Sequence, residues 1–269
     1  MVASPYRPSS LPLSGAPPGC HVEAFTVRSY DLDWSGRLAL RALGGFFQEA
    51  ARVHAAQLGL GHDVLSQENL AWALTRLRIV VDDEPELRET VVVTTWPSGR
   101  DRLYAYRDFT LTGADGRALV RATSAWVLFD VHERKAHRMN DVLDGVEIPA
   151  RPRALELPKK KPPELERADA EKHFRVRLGD LDPNGHTNNG RYMEWMLESL
   201  PSRFWGTQRL AEIDLLFREE ALYDDAIVAE CQDLGDRTFA HRTRRARDGL
   251  ELARASSRWV EAEPPALAW

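Results

Sequence analysis

Cysteine is nearly absent: Cys20 and Cys231 are the only two in 269 residues. Two thiols that far apart, one of them in a proline-rich stretch, make neither a disulfide framework nor a cysteine metal site, and a reducing compartment suits them best. Long apolar runs are missing too; nothing approaches the roughly 18 consecutive apolar residues of a membrane span. There is no glycine-rich phosphate loop and no His–Cys ligand cluster, so neither a cofactor nor a metal is expected. Charge of a single sign is also lacking. Lys and Arg number 36 against 41 Asp and Glu, a net charge of −5, which disfavours non-specific binding to nucleic acid or anionic membrane. The first twenty residues have neither the basic start nor the apolar run of a secretory signal; they read as a flexible tail and point to a cytoplasmic protein.

What is present is an ordinary globular composition, 43% hydrophobic and 29% charged, in a chain long enough for one large domain or two small ones. Sliding the chain along itself reveals a repeat. Val27 to Arg37 (VRSYDLDWSGR) lies over Val176 to His186 (VRLGDLDPNGH), and in the same register Phe46 falls on Trp195 and Glu49 on Glu198. At a register 16 residues shorter, Asp115-Gly116 lies over Asp248-Gly249, and Arg121 to Val127 (RATSAWV) over Arg254 to Val260 (RASSRWV). Two copies of one unit explain both registers, with extra chain in copy one between Glu49 and Asp115.

Each copy opens with a strand and a turn, then one helix. Leu43, Phe46, Phe47, Ala50, His54 and Leu58 recur at helical spacing, with a stop near Gly59 and Gly61; Tyr192, Trp195, Met196 and Ser199 repeat the pattern before Pro201. Strand-like β-branched and aromatic segments follow, and the two Asp-Gly pairs are hairpin signals. About five antiparallel strands around one helix make an α+β unit in which helix and sheet cover each other's apolar faces. The expected layout is a tail at 1–20, copy one at 21–154, a linker at 155–170 with a solvated Lys159-Lys160-Lys161 run, copy two at 171–262, and a tail at 263–269. The basic run His241 to Arg247 alternates faces and reads as a solvated edge strand rather than one patch.

These residues resemble the acyl-acyl-carrier-protein (acyl-ACP) thioesterases of plants and bacteria, which are tandem hotdog folds. The likeness runs from about His21 to Val260. In copy one it rests on Arg28 through Gln48-Glu49, Leu70-Ala-Trp72 with Thr75-Arg76, Thr95-Trp96, and Arg121 to Val127; in copy two, on Asp180 to Asn189 (DLDPNGHTNN) with Tyr192. The resemblance implies hydrolysis of fatty acyl-ACP to free fatty acid and holo carrier protein, without a cofactor. It makes a homodimer an option, since hotdog sheets often pair further. It also makes copy one the acyl tunnel, with Phe46, Phe47, Trp72 and Trp96 as candidate lining groups.

Read as chemistry, Asp182, Asn184 and His186 place a carboxylate, an amide and an imidazole on a turn before a helix N-terminus, where backbone N–H groups can stabilise an oxyanion. The plainer reading is an Asx turn or a cap. Copy one helps separate the two, for it keeps Asp33 but has Ser35 and Arg37 at the other positions. The resemblance adds Glu220 as a fourth catalytic residue, on the strand after the helix and facing the acyl pocket. Water would then attack with Glu220 as base, Asn184 holding water or carbonyl, and His186 with Asp182 orienting that amide; attack by the Asn184 amide itself is the other route. Many plant relatives carry a cysteine after this glutamate, whereas this chain has Ala221, which excludes a cysteine nucleophile there. Cys231 reads as a buried apolar filler. An acyl-coenzyme A thioesterase, a non-hydrolytic acyl-binding protein and a dehydratase on the same fold remain as alternatives.

Overall fold

The computed structural model describes residues 16–139, 142–201 and 204–263. The residues expected to form the two tails therefore fall largely outside the described ones. Copy one runs β1 (His21–Thr26), α1 (Leu40–Gln57), the short α2 (His62–Leu65), β2 (Leu70–Val81), β3 (Thr90–Arg100), β4 (Ala105–Gly113), β5 (Ala118–Asp130) and the short β6 (Lys135–His137). Copy two runs β7 (Ala170–Arg175), α3 (Asn189–Glu198), β8 (Gln208–Phe217), β9 (Ala226–Gly235), β10 (Thr238–Arg245) and β11 (Glu251–Glu261).

The strands form one antiparallel sheet in the order β1-β3-β4-β5-β2-β8-β11-β10-β9-β7, with β6 added to β5. Each half repeats the other's order outward from the centre, where β2 pairs with β8 from Arg76↔Leu216 to Val80↔Glu212. Both helices pack on the same face. Leu43, Phe47, Ala50 and Ala51 of α1 and Tyr192, Met193, Trp195, Met196 and Leu197 of α3 share one core with Leu77, Ile79, Ile213 and Leu215 of the central strands. Burying each large side chain contributes about 1.5–3 kcal/mol, so one helix stripe per copy is enough to fix it on the sheet. The helices meet at Gly44, where a Cβ would lie 3.1 Å from Met193 Cε. The repeat also shows in ring stacking: Phe25 lies on Phe46 at 4.5 Å, and Phe174 on Trp195 at 5.9 Å.

The extra chain of copy one lengthens its helix, 18 residues in α1 against 10 in α3, and adds α2. A second, smaller core forms there from Leu60, Leu65, Leu70, Leu128, Met139 and Leu143. The segment joining the copies is strapped over the outer face of the sheet. Thr123 exchanges hydrogen bonds with Leu155, Arg76 donates to the carbonyls of Pro158 and Lys160 at 2.8 Å each, and Arg254 reaches Glu164 at 2.8 Å. Lys159, Lys160 and Lys161 are exposed.

The Arg242–Arg245 run is not an edge strand, because β10 lies between β9 and β11. Its arginines are held by acids of neighbouring segments: Arg242 and Arg244 flank Glu230, while Arg245 and Arg247 pair with Asp225 and Asp248. An alternating basic strand can sit inside a sheet when such partners lie beside it.

Candidate active site

The turn before α3 is built by Asp182. Its Oδ1 accepts the backbone N–H of Asn184 at 2.8 Å and of His186 at 3.2 Å, and Gly185 takes φ +80°. Asp33 does the same in copy one, accepting from Ser35 N at 2.8 Å and Arg37 N at 3.2 Å, with Gly36 at φ +85°. The aspartate therefore shapes the turn in both copies, and its bonds run to backbone rather than to the imidazole of His186. The helix N-terminus offers less than the sequence led us to expect. Asn188 caps α3 through Gly190 N at 2.8 Å, and the amides of Thr187, Asn188 and Arg191 bond to Ala221 O, Asp180 O and Asn188 O. Asn184 is exposed, and its carboxamide carries donors that solvent or a ligand can reach.

Glu220 lies three residues beyond β8, in a loop rather than on the strand. That loop is pinned from below: Tyr192 Oη accepts from Ala221 N at 2.8 Å, and Thr187 Oγ1 donates to Ala221 O at 2.7 Å. Burial, with Glu220 adding to it, pushes the Tyr192 phenol up to about 12, so it stays protonated. Held in this way, Glu220 Oε2 faces His186 Nε2 at 3.3 Å, with side-chain exposures of 44% and 52%. The carboxylate is thus half-solvated beside an imidazole, not enclosed in an apolar pocket. His186, Asn184 and Glu220 lie on one accessible turn-and-loop surface.

The repeat supplies the counterpart in copy one. Arg37 stands where His186 does, and Glu84 lies three residues past β2 as Glu220 lies three past β8. Arg37 and Glu84 form an ion pair with side-chain exposures of 8% and 23%, and Arg37 Nη2 donates to Glu263 O at 2.6 Å. Burial pushes the Glu84 carboxyl up, against the pull of Arg37. The pair in copy one is sealed, and its counterpart in copy two is open.

A cavity of about 60 Å³ lies in copy one, lined by Ala55, Leu58, Leu60, Trp72, Arg107 and Trp126 among others. Of the four expected lining residues it takes Trp72, whose Nε1 donates to Leu60 O at 3.1 Å. Phe47 is core, stacked on Phe109 at 4.8 Å, and Phe46 stacks on Phe25. Trp96 points the other way, because β3 turns Val91 and Val93 towards α1; it is 1% exposed, under the guanidinium of Arg151 at 4.3 Å. Cys231 is a buried filler whose Sγ donates to Ser199 O at 3.1 Å.

Residues 19–145 match the family model for the acyl-ACP thioesterase N-terminal domain, and residues 164–261 that for the C-terminal domain. The chain belongs to the acyl-ACP thioesterase family. It is 27% identical over 258 residues to a chloroplastic acyl-acyl-carrier-protein hydrolase of Cuphea viscosissima, a match covering 88% of this chain and 61% of that relative. It is 29% identical over 274 residues to the chloroplastic oleoyl-acyl carrier protein thioesterase 1 of Arabidopsis thaliana, covering 88% and 75%. The chain thus spans about three fifths of the Cuphea relative. Its fold is that of the 12:0-ACP thioesterase from Umbellularia californica, with a TM-score of 0.82 at 24% identity over 92% of this chain and 100% of that one.

For this member of the acyl-ACP thioesterase family, sequence reading missed the anchoring of the Glu220 loop by Tyr192 and the Arg37–Glu84 pair. It also missed Ala55, Leu58, Leu60, Trp126 and Arg107 in the cavity wall. The surplus length of copy one was the available signal for the wall, since three of the five come from the end of α1 and the chain just after it.

Proposed function

We propose that this chain hydrolyses the thioester of a fatty acyl group carried on acyl carrier protein. The observation that carries the reading is the half-exposed His186–Glu220 pair at 3.3 Å, on the turn that also carries the exposed Asn184. Its counterpart in copy one is closed. Names of relatives supply the carrier class: the Cuphea and Arabidopsis proteins are an acyl-carrier-protein hydrolase and thioesterase.

In this reading Glu220 takes a proton from water as the water oxygen bonds to the thioester carbon, and His186 holds the carboxylate towards that water. The Asn184 amide donates to the carbonyl oxygen as charge develops there. The C–S bond then breaks, and the departing thiolate receives the proton from Glu220. Asp182 acts by position, presenting Asn184 and His186 on one side of the turn. Copy one takes the acyl tail: Trp72 lies four residues before Arg76, and Glu220 four residues beyond Leu216, the paired partner of Arg76. The cavity therefore starts on the strand beside the loop of Glu220.

Thiol release from acyl-ACP and acyl-coenzyme A, with Glu220→Gln and Asn184→Ala beside the wild type, tests the reading. We expect release from acyl-ACP to fall by about 10²-fold or more in each variant. Wild-type protein inactive on every thioester would defeat the hydrolase reading, and faster turnover of the coenzyme A esters would reassign the carrier.

A further inference from the structure

The cavity wall carries two cations, Arg100 and Arg107, that thioester hydrolysis does not use. Arg107 of β4 lies in its wall. Its Nη1 reaches His54 Nδ1 at 3.0 Å and Thr95 Oγ1 at 3.2 Å. His54, on α1, is 4% exposed. Burial first, then the charges of Arg107 and His21, pushes its imidazole down to about 3. The ring is therefore neutral, and with a guanidinium on Nδ1 that nitrogen is the acceptor and Nε2 carries the proton. Burial pushes Arg107 itself down to about 10, which still leaves it charged near neutrality. Glu23 of β1 sits against His21, Nε2 to Oε2 3.5 Å, and among the described residues no carboxylate pairs with Arg107.

A guanidinium withdrawn from water, whose partners among the described residues are neutral, is expensive to keep. It lines a space walled mainly by apolar groups, Ala55, Leu58, Trp72, Trp126 and Leu143 among them, with Tyr106 and with Arg100, whose Nη1 donates to Leu143 O. A chain of methylenes filling that space would strip the guanidinium of water and give nothing in return. A ligand oxygen there would receive a charge-assisted hydrogen bond. Position sets where along the ligand such an oxygen falls. From β8, which leads to Glu220, to β4, which bears Arg107, is three strand spacings by way of β2 and β5, about 14 Å.

We propose that the cavity binds the distal part of an acyl chain oxygenated well away from its thioester, as a hydroxyl, oxo or carboxylate group, and that Arg107 recognises this oxygen. The proposal rests on the hydrolase reading above for the reaction itself, but not for the binding. A site built to hydrogen-bond a substrate oxygen discriminates strongly against the analogue lacking it, because its own polar group is left unpaired.

The test compares kcat/KM for ω-hydroxyacyl-ACP and plain acyl-ACP over a ladder of chain lengths. The wild type should prefer the hydroxylated chain at its best length by at least about tenfold. Arg107→Met should abolish that preference, and Arg107→Lys should keep part of it, since an ammonium still donates. Equal rates for both series in the wild type, or an undiminished preference in a folded Arg107→Met, would overturn the proposal. Should no thioester be cleaved at all, the hydrolase reading falls separately. Calorimetric titration of the wild type with ω-hydroxylated and plain free fatty acids of equal length then decides the pocket: tighter binding of the hydroxylated acid supports it, and equal affinity or none overturns it.

Discussion

Arg37 is paired with Glu84 in copy one, at the positions that His186 and Glu220 occupy in copy two. Arginine stands in the sealed pair and histidine in the open one. Arginine is always charged and binds a carboxylate through a rigid fork, so it occupies the oxygen that would otherwise meet water. His186→Arg should therefore reproduce the copy-one pair. We expect thiol release to fall by about 10²-fold or more while the thermal midpoint holds or rises, measured by thiol assay and calorimetry on the same preparation.

Asp182 and Asp33 make the same two backbone hydrogen bonds. Replacing either with Ala should cost about 1 kcal/mol per bond lost. Only Asp182→Ala should lower kcat, because only its turn carries Asn184 and His186. Urea denaturation and steady-state kinetics on both variants check this; loss of kcat in Asp33→Ala would contradict it.

The seam between the copies is charge-segregated. Arg76 and Arg78 come from β2, and Asp214 and Glu212 from β8. Arg76 and Asp214 are only 12% and 8% exposed at the side chain. Asp214→Ala leaves a buried guanidinium without its carboxylate and should cost about 3–5 kcal/mol, whereas Arg76→Met with Asp214→Leu should cost less, about 1 kcal/mol for each strap hydrogen bond lost at Pro158 O and Lys160 O. Denaturant midpoints of the single and double variants separate the two outcomes.

Burial pushes His54 down to about 3 and His241 to about 4. Both are neutral in the fold and bind protons in the unfolded chain below about pH 6.5. Stability from this source is complete above that pH and declines as the pH falls towards 4, by roughly 2 kcal/mol per histidine at pH 5. His241→Phe should flatten the fall in thermal midpoint between pH 7 and 5. Phe109 holds the equivalent place in copy one: it pairs with Ala122 as His241 pairs with Ala255, and Ala122 and Ala255 are matched in the repeat.

The repeat, the order of helix and strands in each copy, the hairpin turns and the Asp-x-Asn-x-His turn were legible in the amino-acid order alone. These are signals of neighbouring residues, carried by side-chain period, turn chemistry and self-similarity. Asp33 even foretold the structural part played by Asp182. Tertiary structure alone decided what stands beside what. It brought Glu220 to His186 across 34 residues through the Tyr192 anchor, turned Trp96 away from α1, and placed β10 inside the sheet rather than at its edge. It also shifted the alternation of β2 at the irregularity between Leu74 and Arg76, so that Trp72 and Leu77 face the same side. The reason is that strand neighbours and bulges depend on partners distant in the chain, and a local pattern is the same whichever partner arrives.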